Sequence, residues 1–344
     1  MTKVRFQSQS AILARRGSEP KQSGWREQIR SAFRTPTALL DYLGIEADGS
    51  GRAFKPGFPM LVPQAFAARM ARGDRHDPLL LQVLPDPAEA EPAAGYVADP
   101  VGDAAARQAR GVLHKYQGRV LLITTGACAV HCRYCFRQAF PYATENAGSR
   151  QWDEAVTYIS GRRDIEEVIL SGGDPLMLPT RQLEALTDRL RSLPHVRRLR
   201  LHTRLPVVLP DRVTEYLCRW ISSLPWPVVV VIHANHANEF DASVDQALKN
   251  LRNAGAHLFN QSVLLAGIND DLESLLALMQ RSFSAHVIPY YLHLLDRVAG
   301  AARFDCDQRK ALELHDAMRV QLSGYLVPRL VREQAGAPYK LPVL

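Results

Sequence analysis

Three of the chain's five cysteines, Cys128, Cys132 and Cys135, crowd into the stretch Gly126–Arg137, GACAVHCRYCFR, at a C-x3-C-x2-C spacing. Three thiolates can hold three corners of a 4Fe–4S cube and leave the fourth iron open to an exchangeable ligand. A structural zinc ion normally takes four ligands. His131 is the one further candidate nearby, and it sits between two of the cysteines, where joint ligation is awkward. Zinc and a chance grouping of thiols stay open beside the cluster on the spacing alone.

Other polar strings punctuate the chain further on. Ser171-Gly172-Gly173-Asp174-Pro175 is a tight turn by composition, and its glycines also let backbone come close to a ligand. His233, His236 and Glu239 in HANHANE have a metal-like spacing. They follow a strand instead of sharing one helix face, so a second metal is not expected there.

The elements that must carry these strings show in the hydrophobic pattern. Short aliphatic runs at 119–125, 167–172, 198–203, 228–233, 257–265 and 285–293 are separated by amphipathic stretches such as 181–193 and 271–283. Apolar strands alternating with helices specify a parallel sheet covered by helices. Six such units make a partial (β/α)6 barrel, with a doubly wound open sheet as the alternative. Each polar string follows the end of its strand, which is where a barrel gathers its catalytic groups.

Before this alternation, Trp25 to about Arg72 carries helical periodicity, and Leu84 to Asp103, rich in Pro, Ala and acids, is expected to be an extended linker. The expected partition is a disordered tail over 1–24, a helical N-terminal region and linker over 25–110, the barrel over 111–325 and a C-terminal segment over 326–344. At 344 residues and 47% hydrophobic, the chain can bury one large core. No apolar run reaches a membrane span, and the N-terminus lacks the apolar core of a secretory signal. Five cysteines suit a reducing cytoplasm. The net charge of +7 is dispersed without a basic, aromatic-interleaved block, so nucleic acid is not an expected partner, while an anionic substrate or cofactor, or an acidic partner protein, is compatible with it.

The cysteine spacing, with Tyr134 just before Cys135, resembles the signature of the radical S-adenosylmethionine (SAM) enzymes. In that superfamily SAM chelates the open iron. The SGGDP string resembles its loop for the SAM amino group, which implicates Ser171, Gly172, Gly173 and Asp174. HKYQGRVLLITTGACAVHCRYCFRQ, LSGGDPLML, RLHTRLPVVLP, HANHANE, NQSVLLAGIND and PYYLHLLD together are similar to the lysine 2,3-aminomutases, and most of all to the branch that makes β-lysine for modification of elongation factor P. This similarity runs from about Trp25 to Lys340.

The resemblance implies that Lys340, in REQAGAPYKLP, forms the Schiff base of pyridoxal 5′-phosphate (PLP), and that Lys115 supplies a cation to its phosphate. Arg137 stands where the family holds the amino-acid carboxylate. Asp296 and Glu333 stand where it holds the side-chain ammonium, Glu333 replacing the Asp of the free-lysine mutases. Those mutases continue past the PLP lysine into zinc-binding cysteines. This sequence ends at Leu344, so Cys218 and Cys306 are expected to be ordinary buried thiols.

The implied activity is conversion of L-lysine to (R)-β-lysine with a 4Fe–4S cluster, SAM and PLP. A flavodoxin or ferredoxin would supply the electron, and a ligase acting on elongation factor P would take the product. A homo-oligomer is compatible with this reading. The alternatives are a mutase feeding free β-lysine to another pathway, and a non-catalytic iron–sulfur or zinc protein that binds a partner through its basic surface.

Overall fold

The computed structural model describes residues 24–46, 58–142 and 152–344. Apart from Gly24, the tail expected over 1–24 lies outside these residues.

All six strand runs form strands. They are β3 (Arg119–Thr125), β4 (Glu167–Gly172), β5 (Arg198–Thr203), β6 (Val228–Ile232), β7 (Ala256–Val263) and β8 (Ile288–His293), preceded by β1 (Arg107–Ala109) and β2 (Val112–Tyr116) and followed by β9 (Arg329–Arg332) and β10 (Leu341–Pro342). β4 is buried along its whole length, as a parallel strand covered on both faces must be. The covering helices bury residues at three- and four-residue spacing. Thr180–Leu190 turns Leu183, Leu186, Thr187 and Leu190 inward. Leu272–Ser284 does the same with Leu275, Leu278, Met279 and Ser282, and Asp271 caps its first turn by accepting from the Ser274 amide.

Among the described residues the ten strands form one sheet in which each strand's neighbour is the next in sequence. That order winds a barrel wall. A doubly wound sheet would reverse at a switch point. β3 through β9 are all parallel. The expected six βα units are present, with a helix after each of β3 to β8, and the four-residue β9 adds a seventh parallel strand with no helix after it. Antiparallel pairs finish the two edges, β1–β2–β3 on one side and β9–β10 on the other.

The stretch 84–103 departs further from expectation. It is packed against the barrel. Asp86 and Glu89 close a reciprocal capping box around the turn Pro87–Ala90. Val97 bridges to Val298, and Asp103 is only 1% exposed. The acids that look like a solvated spacer in sequence instead neutralise arginines, Glu89 pairing with Arg133 of the cysteine loop. The N-terminal helices join the same core, with Trp25, Leu39, Leu43 and Phe66 in one apolar cluster with the barrel strands. Among the described residues no helix is long and apolar enough to cross a membrane.

Candidate active site

A cavity of about 630 Å³ opens at the C-terminal ends of the strands, and every cluster, SAM, PLP and substrate residue implied by the resemblance lines it. The cysteine loop leaves β3, Ser171–Asp174 leave β4, and Asp296 follows β8. Glu333 is the residue after β9, and Lys340 immediately precedes β10. Pairing of Leu341 with Arg332 folds that last hairpin back on itself, so Lys340 returns to Glu333.

At one end, Cys128, Cys132 and Cys135 are free thiols. Burial pushes Cys135 up to about 11, with the neighbouring Cys132 adding to the effect. Burial also raises Cys128 well above the ordinary thiol range, helped by Cys135 and Asp174. A metal centre must displace such protons, and its positive charge is what makes that favourable. Among the described residues no three ligand-type side chains converge on a single point, as one bound ion requires. A cube asks for something else, each sulfur at an iron of its own.

The β4 loop fixes this end. A Cβ on Gly172 would lie 2.4 Å from the Thr125 carbonyl, and one on Gly173 would lie 2.4 Å from that of Ala127. Gly172 also has φ +123, open to glycine alone. The close approach expected of these glycines is thus to the cysteine loop itself, sealed by Gly173 N–Thr125 O (2.7 Å) and Asp174 N–Ala127 O (2.8 Å). Asp174 is fully engaged by protein. Its carboxylate accepts from the Thr203 hydroxyl at 2.7 and 2.9 Å and from the Arg204 amide at 2.7 Å. Burial raises its pKa to about 6 against those hydrogen bonds. What this motif can offer a ligand therefore comes from the backbone beside Asp174, whose carboxylate holds the end of β5.

The sequence reading missed Arg204, in HTRLP. Its Nη1 donates to Cys132 Sγ and to the Tyr134 hydroxyl, both at 2.7 Å, and its Nη2 donates to Gln82 Oε1 at 2.6 Å and Glu239 Oε2 at 2.9 Å. HANHANE is absorbed into this network. Glu239 is the partner of Arg204, and His236 caps the turn Ala237–Glu239. His233 meets the Tyr134 hydroxyl at 3.0 Å, with its pKa driven to about 3 by burial and then by Arg204.

At the other end the groups alternate in charge. Arg137 Nε donates to Asp103 Oδ2 at 2.6 Å, and Asp103 Oδ1 lies 2.6 Å from Lys115 Nζ. Lys115 reaches Glu333 Oε1 at 2.8 Å, and Glu333 Oε2 accepts from Lys340. Lys115 also donates to Val101 O at 2.9 Å, so its ammonium has two hydrogen bonds and the ion pair with Asp103. A phosphate would have to replace one of them. Arg137 is less engaged, its Nη1 making only a 3.4 Å contact with Ser171 Oγ.

Asp103, the centre of this chain, was also missed in the sequence, where it is one acid of an irregular stretch. A signal does exist beside it, since Gly102 has φ +67 and a Cβ there would meet the Ala335 side chain at 2.9 Å. Asp296 and Glu333 do not behave alike. Burial raises Asp296 to about 7, and the charge of Glu333 adds to this against the pull of Lys340 and Lys115. Burial opposes ionisation of Glu333 too, but Lys340 and Lys115 override it and hold that carboxylate below its usual range. Asp296 is partly exposed, and the space it faces is this cavity. Cys218 and Cys306, expected to be buried, are partly buried against the apolar core and lie outside the cavity lining.

The cavity suits polar, multiply charged ligands. It offers thiols at one end and exchangeable ion pairs at the other, and His202 Nε2 is buried in its wall without a partner among the described residues. Residues 122–279 match the family model of the Radical SAM superfamily. The chain is 42% identical to the L-lysine 2,3-aminomutase of Escherichia coli K12 over 327 residues, which cover 94% of this chain and 95% of that one. It is 40% identical to the Haemophilus influenzae protein of the same name, covering 93% and 95%. It is 32% identical to that of Clostridium subterminale, covering 95% of this chain and 79% of the relative.

Proposed function

The chain belongs to the L-lysine 2,3-aminomutase family, and from that premise we propose that it converts L-lysine to (R)-β-lysine by moving the amino group from C2 to C3. One observation carries the reading. The three-cysteine loop and the Lys340 ion-pair chain, far apart in sequence, face a single cavity at the mouth of the barrel. Cys128, Cys132 and Cys135 would hold a 4Fe–4S cluster, the β4 loop SAM, and Lys340 PLP. Bound together, these groups supply a hydrogen-abstracting carbon radical and a conjugated ring that accepts an unpaired electron.

The chain's own residues hold the substrate and keep the site dry. Arg137 presents a guanidinium fork suited to a carboxylate, and Asp103 fixes its orientation through Nε. Asp296, once it has lost its proton, holds the substrate's side-chain ammonium. Glu333 keeps Lys340 placed and accepts the hydrogen bond of its Nζ. Buried apolar side chains such as Val130, Ile169 and Leu295 line the same space and exclude water. Such placement is what the protein contributes to radical chemistry carried by cofactors.

An anaerobic assay with reductant, SAM, PLP and L-lysine, followed by chiral chromatography, tests the proposal. (R)-β-lysine is the expected product, and a cluster-loaded protein that forms none overturns the reading. Delivery of the product to a ligase acting on elongation factor P belongs to the same proposal, supported by the motif strings quoted above. It is checked by adding ligase and factor and measuring the factor's mass. Cytoplasmic residence is proposed as well, supported by five free thiols.

A further inference from the structure

The three cysteines are not equivalent. Among the described residues, Cys132 alone of the three receives a hydrogen bond from a charged side chain, the 2.7 Å contact from Arg204 Nη1. Nothing about this contact is incidental. Asp174 accepts from the Arg204 amide and so pins its backbone. Gln82 and Glu239 take its Nη2, and the Phe66 and Tyr134 rings lie 5.4 and 5.9 Å from its guanidinium carbon. Arg204 is 7% exposed and Glu239 not at all, so water screens neither charge.

We propose that Arg204 is a positioning residue that sets the reduction potential of the iron–sulfur centre through its contact with Cys132, with the buried Glu239 charge opposing it. The inference rests on the reading of Cys128, Cys132 and Cys135 as cluster ligands. Reduction adds one electron to the cluster and hence one negative charge to its sulfurs. A cation donating N–H to a ligand sulfur stabilises that charge and raises the potential. Glu239, 2.9 Å behind the same guanidinium, subtracts from the effect. The electron itself comes from an external one-electron reductant, and no bond of Arg204 forms or breaks.

The two partners therefore shift the potential in opposite directions, which a purely structural role would not produce. The test is an EPR-monitored redox titration of the full chain, reconstituted anaerobically with iron and sulfide, without SAM, and matched for iron content. Arg204→Gln lowers the midpoint. At the parent's midpoint its reduced-to-oxidised ratio falls about tenfold, or about 59 mV for one electron. Arg204→Lys keeps the charge without the fork and falls between the two. Glu239→Gln raises the midpoint.

Parent-like midpoints in both Arg204 variants overturn the inference, as does a Glu239→Gln shift in the same direction as Arg204→Gln. If Arg204→Gln assembles no cluster, Arg204→Lys and Glu239→Gln decide by the same criterion. A parent chain that takes up no 4Fe–4S cluster overturns instead the functional reading on which this rests.

Discussion

The two ends of the cavity are built on opposite principles. Around the cysteines, polar groups from several segments, Gln82, Tyr134, Asn235, Arg204 and Glu239, hydrogen-bond one another inside the protein. Such a network is rigid, because each broken hydrogen bond strands a buried partner. Around Lys340, the row Arg137–Asp103–Lys115–Glu333–Lys340 balances charge with ion pairs that an incoming carboxylate, phosphate or ammonium can exchange. A cluster held by thiolates calls for the first kind of site, and charged ligands that must displace ion pairs call for the second. The contrast also separates two carboxylates that look alike in sequence. Asp174 is raised to about 6 while engaged by the Thr203 hydroxyl and the Arg204 amide, whereas Asp296 is raised further, to about 7, facing the cavity.

The largest effects break the two ends separately. Cys128→Ala, Cys132→Ala or Cys135→Ala abolishes turnover, because two thiolates hold a cube poorly. SAM cleavage by the reconstituted Cys128→Ala protein at the parent's rate contradicts the assignment. Lys340→Ala abolishes the aminomutase reaction and leaves cluster content unchanged. Borohydride reduction of the PLP-loaded parent followed by peptide mapping labels Lys340, and label on another lysine moves the site.

Asp103→Asn sharpens the contrast. Asp103 is 1% exposed and touches both Arg137 and Lys115. Removing one partner of a buried pair costs about 3–5 kcal/mol, because the charge left behind stays buried. Denaturant unfolding is expected to show a loss of this order, with kcat/KM for L-lysine falling as well. If stability falls and lysine kinetics hold, Asp103 braces the fold without orienting Arg137.

Asp296→Asn removes the partner of the substrate's ammonium and leaves the row of ion pairs whole. Losing one member of a desolvated charge pair costs about 2–5 kcal/mol, so kcat/KM for L-lysine drops at least about thirty-fold. SAM binding stays unchanged. Unaltered lysine kinetics in a soluble, reconstituted variant end this account of specificity.

Much of this was legible in the chain because it is local. Six strand runs, the cysteine spacing and the polar string after each strand are short-range patterns, and the structure keeps them nearly as they stand in the sequence. Asp103 and Arg204 were not legible. Each acts through partners far along the chain, Arg204 on Cys132 72 residues away and Asp103 on Arg137 34 residues away. No periodicity announces such a contact. Nor does the sequence tell Asp296 from Glu333, because Lys115 and Lys340 settle on Glu333 and leave Asp296 to carry the upward shift.

The smallest expected effect is a pH dependence, and it separates the two carboxylates most finely. Asp296 has to be ionised to hold an ammonium, and in the free protein burial and the Glu333 charge raise it from 3.8 to about 7. As pH falls through that value, kcat/KM for L-lysine declines toward tenfold per unit, and the limb reports the free enzyme. Lys340 pulls this pKa down, so neutralising Lys340 moves the limb upward. Asp296→Asn removes the limb and leaves a flat profile. Stability carries the matching sign. Between about pH 4 and 7 the folded state keeps a proton on Asp296 that the unfolded chain has lost, so this group's contribution falls as pH rises through that window. Glu333, held low by Lys340 and Lys115, contributes stability that is present above its ordinary pKa of 4.5 and lost only as pH falls below it. Unfolding of the parent minus that of Asp296→Asn, measured at pH 5 and pH 7, isolates the first sign. A difference that grows more favourable to the parent with rising pH would show that Asp296 is ionised and paired in the free protein, and the cavity would lose the feature that sets it apart from Glu333.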